Sequence, residues 1–292
     1  MITLDNVSYT YRGGVNALDG VTAEIGPGIQ LLVGENGAGK TTLLHVIAGL
    51  LKPTVGECLV DGQPIALRRP SDMNRIFLLP DNDMPTSRSV WRMADTIGGF
   101  YTGFDRDFLR DALAEFGLDG TERFDRLSLG NRRKSLLAFA MSLGTDTLLL
   151  DEPANGLDIA ARLVLRTLLM RWTAASPTRT VIVSTHTVTD VESIVDGLIL
   201  LRRNQLLLSA SCEQLLRRLA FVHSAIPVPG ALFSMPDAGM FRSIVPAGPE
   251  IESDLDPTAL FVALNSPSAQ TVLNVLNTNE SVNTEIINDT LR

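Results

Sequence analysis

Two clusters of residues in this chain could do chemistry. The first is Gly34-Glu35-Asn36-Gly37-Ala38-Gly39-Lys40-Thr41-Thr42, which matches the pattern G-x-x-x-x-G-K-[ST] at every fixed position. Glycines let a backbone curl so that successive N–H groups point inward at phosphate oxygens. A helix opening at the end of such a loop adds partial positive charge on the same side. The pattern predicts that Lys40 reaches the β- and γ-phosphates of a nucleoside triphosphate and that the Thr41 hydroxyl ligates Mg²⁺. The second cluster is Leu148-Leu149-Leu150-Asp151-Glu152-Pro153, an apolar run ending in two acids. In an open sheet, a strand delivers its C-terminal residues to the ligand edge. Asp151 is therefore expected to hold the Mg²⁺ shell, and Glu152 to polarise a water for in-line attack on the γ-phosphate.

Both clusters need elements to hold them. Residues 29–33 read as a short buried strand before the loop, and 43–51 as an apolar helix after it, closed by Lys52-Pro53. Upstream, Ile2, Leu4 and Val7 alternate as in a strand. Residues 21–25 read as a second strand, which Gly26-Pro27-Gly28 turns into the loop-bearing one. A hairpin is expected over 57–65 around Asp61-Gly62, and buried strands over 75–79, 147–150 and 180–184. Between the last two, 159–175 read as a helix with Leu163, Thr167 and Leu168 inward and Arg162 and Arg166 outward. From Asp81 to about Arg126 the spacing is helical, with Phe108, Leu109, Ala112, Leu113 and Phe116 ahead of Gly117. Residues 198–201 and 206–208 make a last hairpin. Strands alternating with helices imply an α/β fold with a mostly parallel core sheet. An antiparallel N-terminal β-subdomain and a helical insert at 82–145 are added to it.

The length of 292 residues suggests about two domains. Residues 1–208 read as one. Residues 209–292 carry four basic against nine acidic side chains and are rich in Pro and Gly between Pro227 and Pro257. They read as a small acidic α+β accessory domain, with a strand over 260–264 and a helix over 269–276. A net charge of −8 and an aromatic content of 5% argue against a nucleic-acid-binding surface. Cys58 and Cys212 lie far apart without metal-ligand spacing and read as reduced thiols of a cytosolic protein. No apolar run reaches the ~18 residues a membrane helix needs. The start, Met1-Ile2-Thr3-Leu4-Asp5, lacks the shape of a signal peptide, so any membrane role is expected through a partner.

Taken in chain order, the loop at 34–42, Leu127-Ser128-Leu129-Gly130-Asn131, Leu150-Asp151-Glu152-Pro153, Ala154-Asn155-Gly156-Leu157-Asp158 and Ser184-Thr185-His186 form an ensemble. In that ensemble the chain resembles the ATP-binding subunit of an ABC transporter over about residues 1–208. The resemblance implies a P-loop NTPase of the ABC type that hydrolyses ATP with Mg²⁺. It also implies head-to-tail pairing of two cassettes, as a homodimer or a heterodimer with a related ATPase subunit. By the same resemblance, residues Gly34, Glu35, Asn36, Gly37, Ala38, Gly39, Lys40, Thr41 and Thr42 bind nucleotide and Tyr11 stacks on adenine. Lys40, Glu152 and His186 are the implied catalytic set, with His186 at the γ-phosphate. Ser128, Leu129, Gly130 and Asn131 would face the nucleotide of the other chain, and Asp158 would couple the two sites. Ser128 would N-cap a helix over 129–142 and aim its positive end at that phosphate. ATP then glues the dimer, and hydrolysis releases it.

Two departures from the family pattern stand out. The family's signature runs Leu-Ser-Gly-Gly-Gln, whereas Leu129 and Asn131 replace its third and fifth residues here. Asp81 stands where the family carries glutamine. A carboxylate there can ligate Mg²⁺, so Thr41, Asp81 and Asp151 form the expected metal set, with a tighter dependence on Mg²⁺ than glutamine would give. Only 45 residues separate Asp81 from Leu127, which resembles small exporter-type subunits. An exposed group of Met84-Pro85, Val90-Trp91 and Met93 would suit docking of a helix from a separate integral membrane permease, on the inner face of the cell membrane. The alternative is a soluble ABC ATPase acting on nucleic acid or ribosomes, or as a regulator. Reading on nucleic acid would call for tandem cassettes, metal fingers, long coiled coils or a basic surface, and none is present in this sequence.

Overall fold

Alternating apolar residues at Ile2, Leu4 and Val7 form the buried face of β1 (Ile2–Thr10). It pairs antiparallel with β2 (Asn16–Ile25), which reaches back further than its apolar half. Next come β3 (Gly28–Gly34), α1 (Lys40–Ile47), β4 (Val55–Val60) and β5 (Gln63–Pro64). A four-stranded antiparallel sheet runs β2-β1-β4-β5 and carries the hairpin turn Asp61-Gly62. Buried Cys58 sits on its inner side. Gly49, at φ 69°, stops α1 earlier than its apolar run alone suggests. The computed structural model describes residues 1–65, 72, 74–82, 88–248, 251 and 253–277.

The chain then supplies β6 (Ile76–Leu79), α2 (Val90–Ile97), α3 (Arg106–Glu115), α4 (Leu129–Ser142), β7 (Thr147–Asp151), α5 (Ile159–Ala174), β8 (Thr180–Ser184), β9 (Gly197–Arg202) and β10 (Gln205–Ser211). A second sheet has the order β10-β9-β3-β8-β7-β6, and its pairings from β9 across to β6 are all parallel. Parallel strands are covered on both faces, so they read as continuous apolar runs; β6, β7 and β8 are buried at every position. Leu32, Leu149, Ile182 and Ile199 share one core with Leu43, Leu44 and Ile47 of α1 and with Ile2, Leu4 and Val21 of the antiparallel sheet. Registers Asp151↔Ser184 and Leu79↔Leu150 bring the C-terminal ends of β6, β7 and β8 to one edge, beside the loop that leaves β3. The architecture is the expected one: a mostly parallel core, an antiparallel N-terminal sheet and a helical insert.

Two details of the first unit (Met1–Ser209) differ from expectation. On α5 the buried residues are Ala161, Leu165, Leu168, Leu169 and Trp172, while Leu163 and Thr167 are exposed. Arg162 and Arg166 are half-buried rather than solvated, because Asp190 accepts from Arg162 through its carboxylate at 2.5 Å and from Arg166 through its carbonyl at 2.6 Å. In the insert, Val90 and Met93 are core residues, and half-buried Trp91 donates its indole N–H to the Asp119 carbonyl at 2.8 Å beneath the Arg106 guanidinium. The expected exposed patch is therefore absent at 90, 91 and 93, and Met84-Pro85 lies outside the described residues.

The second unit, Ala210–Arg292, has its own small core of Ala220, Val228 and Val245. A capping box of Ser211 and Gln214 opens α6 (Cys212–Leu216). Strands β11 (Leu219–Ser224), β12 (Phe233–Asp237) and β13 (Met240–Pro246) form an antiparallel sheet in the order β11-β13-β12. Two helices follow, α7 (Pro257–Leu264) and α8 (Ala269–Asn277). The expected strand at 260–264 is thus helical. The Asp256 carboxylate accepts from the Ala259 N–H at 2.8 Å and Pro257 occupies the first turn, so the start signals of a helix decide an apolar run of ambiguous period. Among the described residues no single helix is long and apolar enough to cross a membrane.

Candidate active site

The loop leaving β3 is shaped by contacts that only glycine allows. Gly39 stands at φ 98°, and a Cβ there would lie 2.4 Å from the Ala17 carbonyl oxygen. That close approach lets α1 begin at Lys40 itself, inside the motif. Lys40 folds back over the loop, donating from Nζ to the Gly34 carbonyl at 2.7 Å and the Glu35 carbonyl at 3.2 Å. Burial lowers its pKa, partly offset by the nearby charges of Glu152 and Asp151. Thr41 Oγ1 donates to Asp151 Oδ2 at 2.8 Å, joining the loop to the end of β7. The Tyr11 and Thr42 hydroxyls lie 3.0 Å apart, and the Tyr11 ring packs edge-on against Tyr9.

These residues border a cleft of about 600 Å³. Its wall includes Tyr11, Asn36, Gly37, Gly39, Lys40, Thr41, Thr42, Asp81, Asp151 and Glu152 from the expected set, and also His45, Asn82 and Asn204. Gly34, Glu35 and Ala38 shape the loop from behind; a Cβ on Gly34 would meet the Leu201 carbonyl oxygen at 2.5 Å. Glu152 has a left-handed backbone, φ 47°, an uncommon conformation for a residue with a side chain. Its Oε1 accepts the His186 backbone N–H at 3.1 Å and lies 2.9 Å from His186 Nδ1. The carboxylate is mostly buried while the imidazole is mostly exposed.

Hard oxygen donors suit Mg²⁺, which takes one or two carboxylates together with phosphate oxygens and water. The Thr41 hydroxyl and Asp151 carboxylate, already side by side, fit that donor set. Among the described residues no cluster of three or more His, Cys, Asp or Glu side chains could hold a metal by itself. Asp81 borders the cleft, but its Oδ1 accepts from Asn155 Nδ2 at 2.8 Å.

The signature residues stand outside the cleft wall. Ser128 caps α4, accepting the Asn131 N–H at 3.2 Å, and Leu129 is 64% exposed. Gly130 abuts the turn after β7: a Cβ on it would lie 2.7 Å from the Gly156 carbonyl oxygen. Asp158 caps α5 through the Ala161 N–H at 2.7 Å and lies 3.4 Å from Lys134 Nζ; both contacts hold its pKa below the ordinary carboxylate value, the N–H most. The sequence assigned no role to His45, Asn82 and Asn204 of the cleft wall, nor to Asn155 and Arg133 beside it. His45 lies one helical turn beyond Thr41, a spacing that could have been noticed. Asn155 reaches Asp81 across 74 positions, and buried Arg133 touches segments 18 to 53 positions away, for which spacing offers no signal.

Comparison with known proteins agrees with this geometry. The family described as ABC transporter matches residues 18–155. A protein of Hahella chejuensis named for ribose, galactose and methyl galactoside import is 35% identical over 158 residues, covering 49% of this chain and 30% of that protein. The chain therefore spans under a third of that relative. The energy-coupling factor transporter ATP-binding protein EcfA2 of Thermotoga maritima is 32% identical over 219 residues, covering 70% of this chain and 80% of that protein. A solved ATP-binding subunit of an ABC transporter superposes with a TM-score of 0.66 at 22% identity, over 74% of this chain and 92% of the other, a likeness of fold. With the loop, the paired acids and the signature segment in one order and one architecture, the chain belongs to the ABC transporter family, as an ATP-binding subunit.

Proposed function

We propose that residues 1–208 form a motor domain that binds ATP and Mg²⁺, pairs head to tail with a second cassette and drives a separate integral membrane permease from the inner face of the membrane. The observation that supports it best is the convergence of Lys40, Thr41, Asp151 and Glu152 on one cleft, with Thr41 and Asp151 hydrogen-bonded across 110 positions. Loop N–H groups and Lys40 would hold the phosphates. Thr41 and Asp151 would hold Mg²⁺, which neutralises charge on the β- and γ-phosphates, with Asp81 as a third candidate ligand. Glu152 would accept the proton of the attacking water as it bonds to the γ-phosphorus and ADP leaves, with His186 steadying the carboxylate and the γ-phosphate. Tyr11 would offer its ring to the adenine. Exposure of Ser128 and Leu129 outside the cleft supports their action, with Gly130 and Asn131, on a nucleotide held by the partner cassette, and Asp158 would link the two sites. The short insert supports export, whereas the relatives' names include import; uptake against extrusion in vesicles decides direction. Residues 209–292 would act as an accessory domain.

The test is Glu152→Gln. This protein is expected to bind ATP, to hydrolyse it about 10²–10⁴-fold more slowly and to elute as a dimer when ATP is present. Undiminished turnover would falsify the role given to Glu152, and monomeric elution with ATP bound would overturn the ATP-glued dimer.

A further inference from the structure

Arg133 is a buried charge that no role above accounts for. It lies in the second turn of α4, is 2% exposed, and points into the junction between the ends of β6 and β7. Its Nη1 donates to the Pro80 carbonyl at 2.6 Å and the Asp81 carbonyl at 3.4 Å. Nη2 donates to the Asp151 carbonyl at 2.5 Å and the Glu152 carbonyl at 2.9 Å, and Nε to the Pro153 carbonyl at 3.3 Å. Guanidinium is planar and carries its N–H groups in a fixed fork, so one side chain can hold several carbonyls in a set mutual arrangement. Lysine, with three donors on one nitrogen, cannot span the same set.

The five carbonyls belong to the residues whose placement matters most to the cleft. Asp81 borders it, Asp151 meets Thr41, and Glu152 occupies its left-handed conformation there. A left-handed glutamate needs its surroundings to hold it. Besides Arg133, the Glu152 main chain is held by its N–H to the Ser184 carbonyl at 2.8 Å and by the Asn155 N–H to its carbonyl at 3.2 Å. The same helix seats Gly130 against Gly156, next to Asn155, which in turn holds Asp81.

We infer that Arg133 is a positioning residue for ATP cleavage: it fixes the main chain of Asp81 and of Asp151 to Pro153 to the helix that begins at Ser128, so that Glu152 keeps its conformation. The inference deepens the hydrolysis reading and rests on Glu152 as the proton acceptor. A residue of this kind sets turnover rather than affinity, since the loop that would grip the nucleotide makes none of these contacts.

The experiment compares wild type, Arg133→Lys, Arg133→Gln and Glu152→Gln in the full chain, measuring ATP dissociation constant, kcat and thermal midpoint. Both Arg133 variants are expected to lower kcat at least ~30-fold while the ATP dissociation constant stays within about threefold, with lysine no better than glutamine because the fork is lost. A kcat within about threefold of wild type in folded Arg133→Lys overturns the inference. So does loss of ATP binding in step with turnover in both variants, which makes Arg133 a folding residue only. Normal turnover in Glu152→Gln sinks the Glu152 assignment instead, whatever the Arg133 variants do.

Discussion

His45 is the residue whose titration the cleft makes measurable. Burial lowers its pKa below the ordinary 6.5, and the charge of Asp151 only partly offsets this. The unfolded chain therefore takes up a proton near pH 6.5 that the folded chain refuses. Linkage fixes the sign: the histidine costs no stability above that pH, and stability is lost as pH falls through it towards the folded-state pKa. Without nucleotide, the thermal midpoint should drop between about pH 7.5 and about pH 5.5 by less in His45→Asn than in wild type. Equal drops in the two proteins would show that the histidine titrates normally. Lys40 is shifted in the same direction for the same reason, yet its ammonium has the Gly34 and Glu35 carbonyls to hold it.

At the scale of elements, helix ends decide much of the geometry. Gly144, at φ 67°, turns the chain from α4 into β7, and a Cβ there would stand 2.0 Å from the Gly103 carbonyl oxygen. The Asp105 N–H also donates to the Ser142 carbonyl at 2.8 Å, so the start of α3 is clamped to the end of α4. Gly144→Ala should cost roughly 1–3 kcal/mol and lower the melting temperature by several degrees; an unchanged melt would mean that the two backbones separate freely. The parallel strands were legible because each is a short apolar run between turn signals, and α4 because Ser128 caps it. The run at 260–264 was not, because five apolar residues have no period; Asp256-Pro257 ahead of them carried the answer. Strands β11 to β13 gave little sign of themselves because many of their positions are half-buried. Residues of the cleft could be read wherever they are contiguous, as at 34–42 and 150–153. Arg133 could not, because nothing in Asn131-Arg132-Arg133-Lys134 distinguishes the buried cation from its half-buried neighbours.

For the whole molecule, the second unit carries a charged cluster of its own. Asp256, nearly buried, caps α7 and lies 3.2 Å from Arg242 and 3.6 Å from His223, while Arg242 also pairs with Asp237 at 2.7 Å. The Arg242–Asp256 and Arg242–Asp237 pairs thus tie the β12–β13 hairpin to α7, beside the buried apolar residues Ile244, Leu260 and Leu264. The cysteines divide between the two units. Burial pushes the Cys58 thiol up to about 12, so at neutral pH almost none of it is the thiolate that attacks a maleimide. Cys212 is only half-buried, at the start of α6, within reach of a reagent in solvent. A brief treatment with maleimide dye at neutral pH should add one label, at Cys212, as intact mass and peptide mapping would check; two labels would mean that β4 opens on that timescale. The sequence thus provides a built-in attachment point for one fluorophore on the second unit, from which the proposed ATP-dependent association would be followed by anisotropy with neither cysteine replaced.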